Sequence, residues 1–297
     1  MPIRGVRVRI VIDQKAGPCG GVKRVIKLAE ENLAAGQTVV SQGEIIHNNV
    51  EIARLEKLGL KAAESDFLQS ASGAQHDYKL LIRAHGAAPE VFQQAETQGV
   101  NVIDGTCPVV TRSQKIARKY HEQGYQVVVV GKPKHPEVIA IVGHCDDQAK
   151  VVHELDDIAR LDPDRPTFVL AQTTIDEDNF RAMLAAIKER VKTVEERNTI
   201  CAFVSNREEQ LRQFAKDCDV VLLVGGKNSS NTRVMHEVCC AVNPRSYWIE
   251  TGEDIDLSWF RRTDTVGISG SASTPDWLLE QIASDLRSRF VKHTGRS

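Results

Sequence analysis

Three cysteines carry the first chemical signal in the 297-residue chain: Cys19, Cys107 and Cys201 each end a β-rich run and stand where a helical pattern begins. A thiolate there meets the unsatisfied N–H groups and positive pole of a helix, which lowers its pKa and makes it a better metal ligand. One such cysteine reads as a small buried hydrophobe; three at equivalent places read as a metal set. Structural zinc draws four ligands from tight pairs such as C-x-x-C, and no fourth cysteine repeats with these. Three thiolates suit an open four-iron cluster better, in which one iron lacks a protein ligand and can act on a substrate oxygen as a Lewis acid and electron donor. Cys145, Cys218, Cys239 and Cys240 have no repeat equivalents and read as structural.

Polar residues follow the cysteines at fixed distances. His47-Asn48-Asn49, His135-Pro136-Glu137 and Ser229-Ser230-Asn231 begin 28 residues after their cysteines (47−19, 135−107, 229−201). A second position recurs at 66 residues, His85 (85−19) and Thr173 (173−107), and slips to 72 at Ser273 (273−201), which places an insertion before it. His47, His85 and His135, with Ser229, Ser230, Asn231 and Ser273, offer donors suited to phosphate oxygens without a permanent lysine or arginine charge, so a diphosphate is the expected guest. Glu137 is the only acidic residue at the polar centre of the three clusters, where a carboxyl can shuttle a proton to a leaving hydroxyl, and Thr173 offers a hydroxyl to orient it or the substrate. Asp104 and Asp276 read as turn or cap residues. The stretch GGKNSSN lacks the G-x-x-x-x-G-K-[ST] spacing of a nucleotide-binding loop.

The elements that must position these groups show in the same repeat. RVRIVIDQKAGPC, VNVIDGTC and VKTVEERNTIC are strand-like runs into cysteine; QTVVSQG, YQVVVVGK and DVVLLVGG follow as second strands, and KLLIRAHG, TFVLAQTT and DTVGISGSAS as third strands. Between them, Val22, Val25, Ile26, Ala29 and Leu33 fall at helical intervals, as do Leu211, Phe214, Ala215 and Cys218; Ile116, Ala117 and Tyr120 make a weaker set. Strand, helix, strand is the order of a parallel crossover, and constant offsets mark internal duplication. The sequence therefore predicts an α/β fold of three pseudo-repeated lobes with small parallel sheets around a central iron–sulfur site. The lobes span residues 20–107, 108–200 and 201–290, with 1–19 added to the third. Every candidate position follows a strand, where open parallel sheets gather their ligands.

Composition sets the outer bounds. With 41% hydrophobic and 26% charged residues the chain is globular rather than fibrous or disordered. A net charge of −2 gives no global basic field, so nucleic acid is not an expected partner and an anionic ligand must be captured locally. No apolar run approaches the roughly 20 residues of a membrane span. Arg4, Arg7 and Arg9 make the opening stretch a strand rather than a signal peptide. Seven cysteines without a tight disulfide framework point to a reducing cytoplasm.

The motifs GPCGGV, GEIIHN, RAHG, DGTCPVV, HPE, AQTT, NTICAFVSNR, GGKNSSN and SGSASTPD, in this order, closely resemble those of the 4-hydroxy-3-methylbut-2-enyl diphosphate reductase family, over residues 17–276. The resemblance implies three lobes around a [4Fe-4S] cluster on Cys19, Cys107 and Cys201. It implies diphosphate binding by His47, His85, His135, Ser229, Ser230, Asn231 and Ser273, with Glu137 and Thr173 near the substrate hydroxyl. The implied reaction adds two electrons and two protons, expels water and gives isopentenyl and dimethylallyl diphosphates, with ferredoxin or flavodoxin as electron donor. Pro18 stands where the family usually has Phe, Gly20 where it has Ala, and AFVSNR where it has YATTNR, changes beside the cluster that bear on its potential and on substrate choice. The rival readings are a paralogue acting on another allylic diphosphate, a diphosphate hydrolase, and a non-enzymatic metal or redox-sensing protein.

Overall fold

The computed structural model describes residues 8–46, 48–63, 77–227 and 229–294. It divides into two compact units, one built from the chain up to Lys23, Ile46–Lys57 and the chain from Asn206 onward, the other from Arg24–Ile45 and Leu58–Ser205.

The unit from Arg24 to Ser205 holds two parallel sheets. In the first, β2 (Val39–Gln42), β3 (Lys61–Ala63), β4 (Lys79–Ile82) and β5 (Asn101–Asp104) take the order β3-β2-β4-β5. In the second, β6 (Gln126–Val130), β7 (Lys150–Val152), β8 (Thr167–Ala171) and β9 (Val194–Arg197) take the order β7-β6-β8-β9. The other unit holds a third parallel sheet of β1 (Arg9–Ile12), β10 (Val220–Val224), β11 (Ser246–Ile249) and β12 (Thr265–Gly270), in the order β1-β12-β10-β11. Read from the opposite edge, this is the same pattern, with β1 in the place that β5 and β9 occupy. The first strand of the chain thus completes the last sheet, pairing Arg9 with Thr265 through Ile12 with Ile268.

The helices in chain order are α1 (Gly20–Ala34), α2 (Asn49–Lys57), α3 (Pro89–Thr97), α4 (Pro108–Glu122), α5 (Pro136–Gly143), α6 (Glu177–Arg190), α7 (Ala202–Ser205), α8 (Arg207–Lys216), α9 (Ser230–Val242) and α10 (Asp276–Thr294). Central strands such as VVLLV of β10 and QVVVV of β6 are buried throughout, as sheets covered on both faces require. Around the second sheet, Val128, Val130 and Val169 pack on Phe180, Leu184 and Ile187 of α6, while Val127, Val129, Phe168 and Leu170 pack on Ala117, Val138 and Ile141. Around the third, Leu222, Val266 and Ile268 meet Leu278, Ile282 and Leu286 of α10, and Val221 and Leu223 meet Leu211 and Met235. Each fully buried Val or Leu contributes about 1.5–3 kcal/mol relative to exposure. Among the described residues no helix is long and apolar enough to cross a membrane.

Two helices depart from the simplest sequence pattern. α4 is a full 15 residues despite its weak periodicity, because Ser113 and Gln114 turn inward beside Val110 and Ala117 and break the apolar stripe. Beyond Cys201 the helical run is interrupted at Asn206 between α7 and α8, next to Arg207, which is buried by an ion pair with Asp13.

In every sheet the connections run to one side of the first central strand and then to the other, so the two central strands flank a point where the winding reverses. Ligands of open parallel sheets bind at the carboxyl ends of such strands. Those ends precede His47 and His85, His135 and Thr173, and Ser229 and Ser273.

Candidate active site

Cys107 enters its position through a close approach of two strands. A Cβ on Gly105 would lie 2.3 Å from the Ile82 carbonyl, so only glycine lets the end of β5 run this near the end of β4. The Gly105 amide donates to Ile82 O at 3.0 Å and the Cys107 amide to Ala84 O at 3.0 Å. Asp104 is a turn residue, its Oδ1 accepting the Thr106 amide at 2.9 Å and also the Thr106 hydroxyl. Cys107, in extended backbone (φ −62, ψ 134), is the N-cap of α4, and its carbonyl accepts from the Thr111 amide at 2.9 Å.

His135 is likewise an N-cap, of α5, with Nδ1 accepting the Glu137 amide at 3.2 Å. That bond places the proton of a neutral ring on Nε2. The His85 and His135 rings stand edge to face with centroids 5.2 Å apart, so these two sequence candidates do come together.

Glu137 is 1% exposed. Its Oε1 accepts the Thr173 amide and its Oε2 the Thr173 hydroxyl, both at 2.7 Å. Burial pushes its pKa up to about 7 against the opposing pull of the two Thr173 bonds, so near neutral pH it both holds and gives up a proton. The Thr173 carbonyl in turn accepts the Cys201 amide at 2.8 Å. Glu137, Thr173 and Cys201 therefore form one hydrogen-bonded chain. Buried Thr199 supports it, its hydroxyl bridging the Ala171 amide, at 2.9 Å, and carbonyl at the end of β8. The Cys201 carbonyl accepts the Val204 and Ser205 amides at 2.8 and 3.0 Å, opening α7.

In the other unit, Cys19 stands just before α1, and its carbonyl accepts the Lys23 amide at 2.9 Å. The preceding loop turns at Gly17 (φ +101), where a Cβ would sit 2.2 Å from Asp276 Oδ1; Asp276 Oδ2 pairs with Lys23 at 2.6 Å. Ser229 caps α9 by accepting the Thr232 amide at 3.2 Å, and Ser230 opens the helix, with half-buried Asn231 following. The Thr232 hydroxyl donates to Ser271 Oγ at 3.0 Å, which lies 2.9 Å from Ser273 Oγ; the Thr274 hydroxyl donates to Val224 O at 2.6 Å. This network ties the end of β10 to the end of β12. His47 lies outside the described residues. Beyond it, Asn48 accepts the Glu51 amide at 3.0 Å, and the buried Glu51 carboxylate holds Arg54 at 2.6 Å and the Trp277 indole N–H at 2.8 Å.

The seven cysteines separate by environment. Cys19, Cys107, Cys201 and Cys218 are partly exposed, Cys240 is exposed, and Cys145 and Cys239 are buried. Burial raises Cys145 and Cys239 to about 12 and Cys218 to about 11, and also raises Cys240, which holds these four as thiols. Among the described residues no three His, Cys, Asp or Glu side chains gather closely enough for a single metal ion.

Some residues that shape the site carry no repeat signal. Thr199, Thr232, Ser271 and Thr274 are small hydroxyl residues like many others in the chain; the crowding of hydroxyls in SGSAST is the one sequence sign of their network. Arg207 closes the NTICAFVSNR motif, yet its partner Asp13 is 194 positions away in sequence.

Three parallel four-stranded sheets of one strand order, each flanked by helices, define a triplicated α/β protein. The chain belongs to the LytB protein family, whose model matches residues 10–287. It is 39% identical over 284 residues to the 4-hydroxy-3-methylbut-2-enyl diphosphate reductase of Aquifex aeolicus, covering 94% of this chain and 96% of that one. It is 37% identical over 292 residues to the same-named enzyme of Bacteroides fragilis, covering 96% and 99%. A solved structure of (E)-4-hydroxy-3-methyl-but-2-enyl diphosphate reductase, described as the terminal enzyme of the non-mevalonate pathway, superposes with a TM-score of 0.79 at 38% identity, covering 95% of this chain and 99% of that one. The Plasmodium falciparum E-1-hydroxy-2-methyl-but-2-enyl-4-diphosphate reductase shares the fold, with a TM-score of 0.77 at 23% identity over 93% and 87% of the two chains.

Proposed function

We propose that this chain reductively removes the hydroxyl group of 4-hydroxy-3-methylbut-2-enyl diphosphate, consuming two electrons and two protons and yielding water with isopentenyl and dimethylallyl diphosphates. The observation that carries the reading is the Glu137–Thr173–Cys201 chain, a buried carboxyl near neutrality one residue removed from a candidate metal ligand. It sits in a protein that shares more than a third of its residues with enzymes named for this reaction.

The ligands of a [4Fe-4S] cluster are Cys19, Cys107 and Cys201 in this reading. Placement ahead of a helix and recurrence in the repeat set them apart from the other four cysteines. When bound, such a cluster supplies reducing electrons and a Lewis-acidic iron. His47, His85, His135, Ser229, Ser230, Asn231 and Ser273 bind the diphosphate, the imidazoles through ring N–H groups and the others through hydroxyl and amide donors. Protonated Glu137 gives its proton to the departing hydroxyl, and Thr173 fixes the carboxyl for that transfer. The electron donor is a ferredoxin or flavodoxin, since nothing in the sequence resembles a nicotinamide or flavin site, and the reaction belongs in the cytoplasm.

The test is anaerobic purification and reconstitution with iron and sulfide, followed by assay with reduced dye. A brown protein that forms the two hydrocarbon diphosphates supports the reading. A colourless zinc protein, or release of phosphate alone, overturns it. Cys107→Ser tests the ligand set directly: the bonds that hold this position are made by its backbone, so the variant should fold and lose cluster iron. Retention of a full complement of iron would remove Cys107 from the set.

A further inference from the structure

At the carboxyl end of β12 lies an ion pair that the proposed chemistry leaves unused. Arg207 and Asp13 have side chains 5% and 6% exposed, and Arg207 Nη2 stands 2.7 Å from Asp13 Oδ2. The same nitrogen donates to Ser269 Oγ at 2.7 Å and to the Gly270 carbonyl at 3.3 Å, while the Ser269 hydroxyl donates to Asp13 Oδ2 at 2.9 Å. All of these bonds use one edge of the guanidinium. Its Nη1 is buried and has no hydrogen-bond partner among the described residues.

A buried ion pair is poor evidence of stabilisation, because desolvation offsets most of the attraction and a well-packed apolar pair often does as well. The position of this one suggests another use. Ser269 and Gly270 run directly into Ser271, whose hydroxyl connects to Thr232 and Ser273. At 3.8 Å per residue, the guanidinium is within about 10 Å of these hydroxyls. The network itself is neutral, and a diphosphate brings two or more negative charges to it. With Asp13 2.7 Å away the guanidinium acts on a dianion as one end of a neutral pair, and because both ends are buried that dipolar field is little screened by salt.

We propose that Arg207 sets the charge of the Ser229–Ser271–Ser273 hydroxyl network, biasing it towards a diphosphate, while Asp13 anchors the guanidinium and tempers that bias. This rests on the reading of the network as a diphosphate site. Its distinguishing feature is the sign of the effect. Removing Arg207 leaves a lone negative charge behind the network; removing Asp13 leaves a lone positive one. A pair that only holds the loop would weaken binding in both cases.

The measurement is calorimetric titration of inorganic diphosphate into the anaerobically reconstituted full chain. Arg207→Met should weaken binding about tenfold, equivalent to ~1.4 kcal/mol. Asp13→Asn should bind as tightly as the parent or tighter, Arg207→Lys should stay within about threefold of the parent, and Asp13→Asn/Arg207→Met should fall between the two single variants. Should Arg207→Met fail to fold, the comparison of Asp13→Asn with the double variant decides, because the double variant buries no unpaired charge and must bind more weakly. Equal weakening in both single variants, unchanged binding in Arg207→Met, or a double variant as tight as Asp13→Asn overturns the proposal. If the parent protein binds no diphosphate at all, the network is not a diphosphate site and this inference falls with it.

Discussion

A carboxyl whose pKa is pushed up to about 7 by burial makes Glu137 the residue most open to test. If its protonated form delivers the proton, kcat falls as pH rises through 7, and Glu137→Gln leaves a low residual rate with that limb gone, by about 10²–10⁴-fold at the optimum. The same shift bears on stability. A carboxyl raised from 4.5 to about 7 contributes its full stability below 4.5 and loses it as pH climbs to 7, by about 3 kcal/mol. Urea midpoints of the parent should therefore decline relative to those of Glu137→Gln across that window. Thr173→Val removes one of the bonds that favour the ionised form. Its pH–rate profile should move to higher pH even as its maximum drops; a shift to lower pH would exclude the hydrogen-bond account. The histidine and cysteine candidates stand out in the sequence because their types are rare and their spacing recurs. Thr199, Ser271 and the Asp13–Arg207 pair are not, because their roles exist only once distant strand ends meet.

The strand ends are also where single glycines matter. Gly105→Ala would drive a methyl against the Ile82 carbonyl, a backbone atom that cannot swing aside, and the loop carrying Cys107 must move instead. A loss of about 1–3 kcal/mol is expected, read as a lower urea midpoint, with reduced iron binding in the same variant. Elements with buried, near-continuous apolar runs, such as β6, β8 and β10, announce themselves in the sequence. Two edge strands do not: KAA of β3 and KVV of β7 are three residues long and hold no pattern to read. α4 shows the opposite failure, in which a long helix is masked by polar side chains on its inner face. One of these, Gln114, places its amide nitrogen 2.4 Å from where a Gly86 Cβ would stand, so the glycine of RAHG makes room for it.

Across the whole molecule three parallel sheets share one strand order, and the constant 28-residue offset is its trace in the sequence. What the offset does not carry is that β1 lies against β12, with Asp13 and Ser269 bonded across 256 positions. That pairing orders events during synthesis. At about 5–20 residues per second a ribosome needs roughly 13–50 s to deliver β12 after β1, and the second sheet emerges complete well inside that interval. Stalled nascent chains ending near residue 240 should protect β6–β9 from protease while Arg9–Ile12 stays cleavable. The opening strand thus spends most of translation as an unpaired β-edge, a sticky segment for aggregation, and the exposed Arg9 at its start is suited to keep it solvated until its partner arrives.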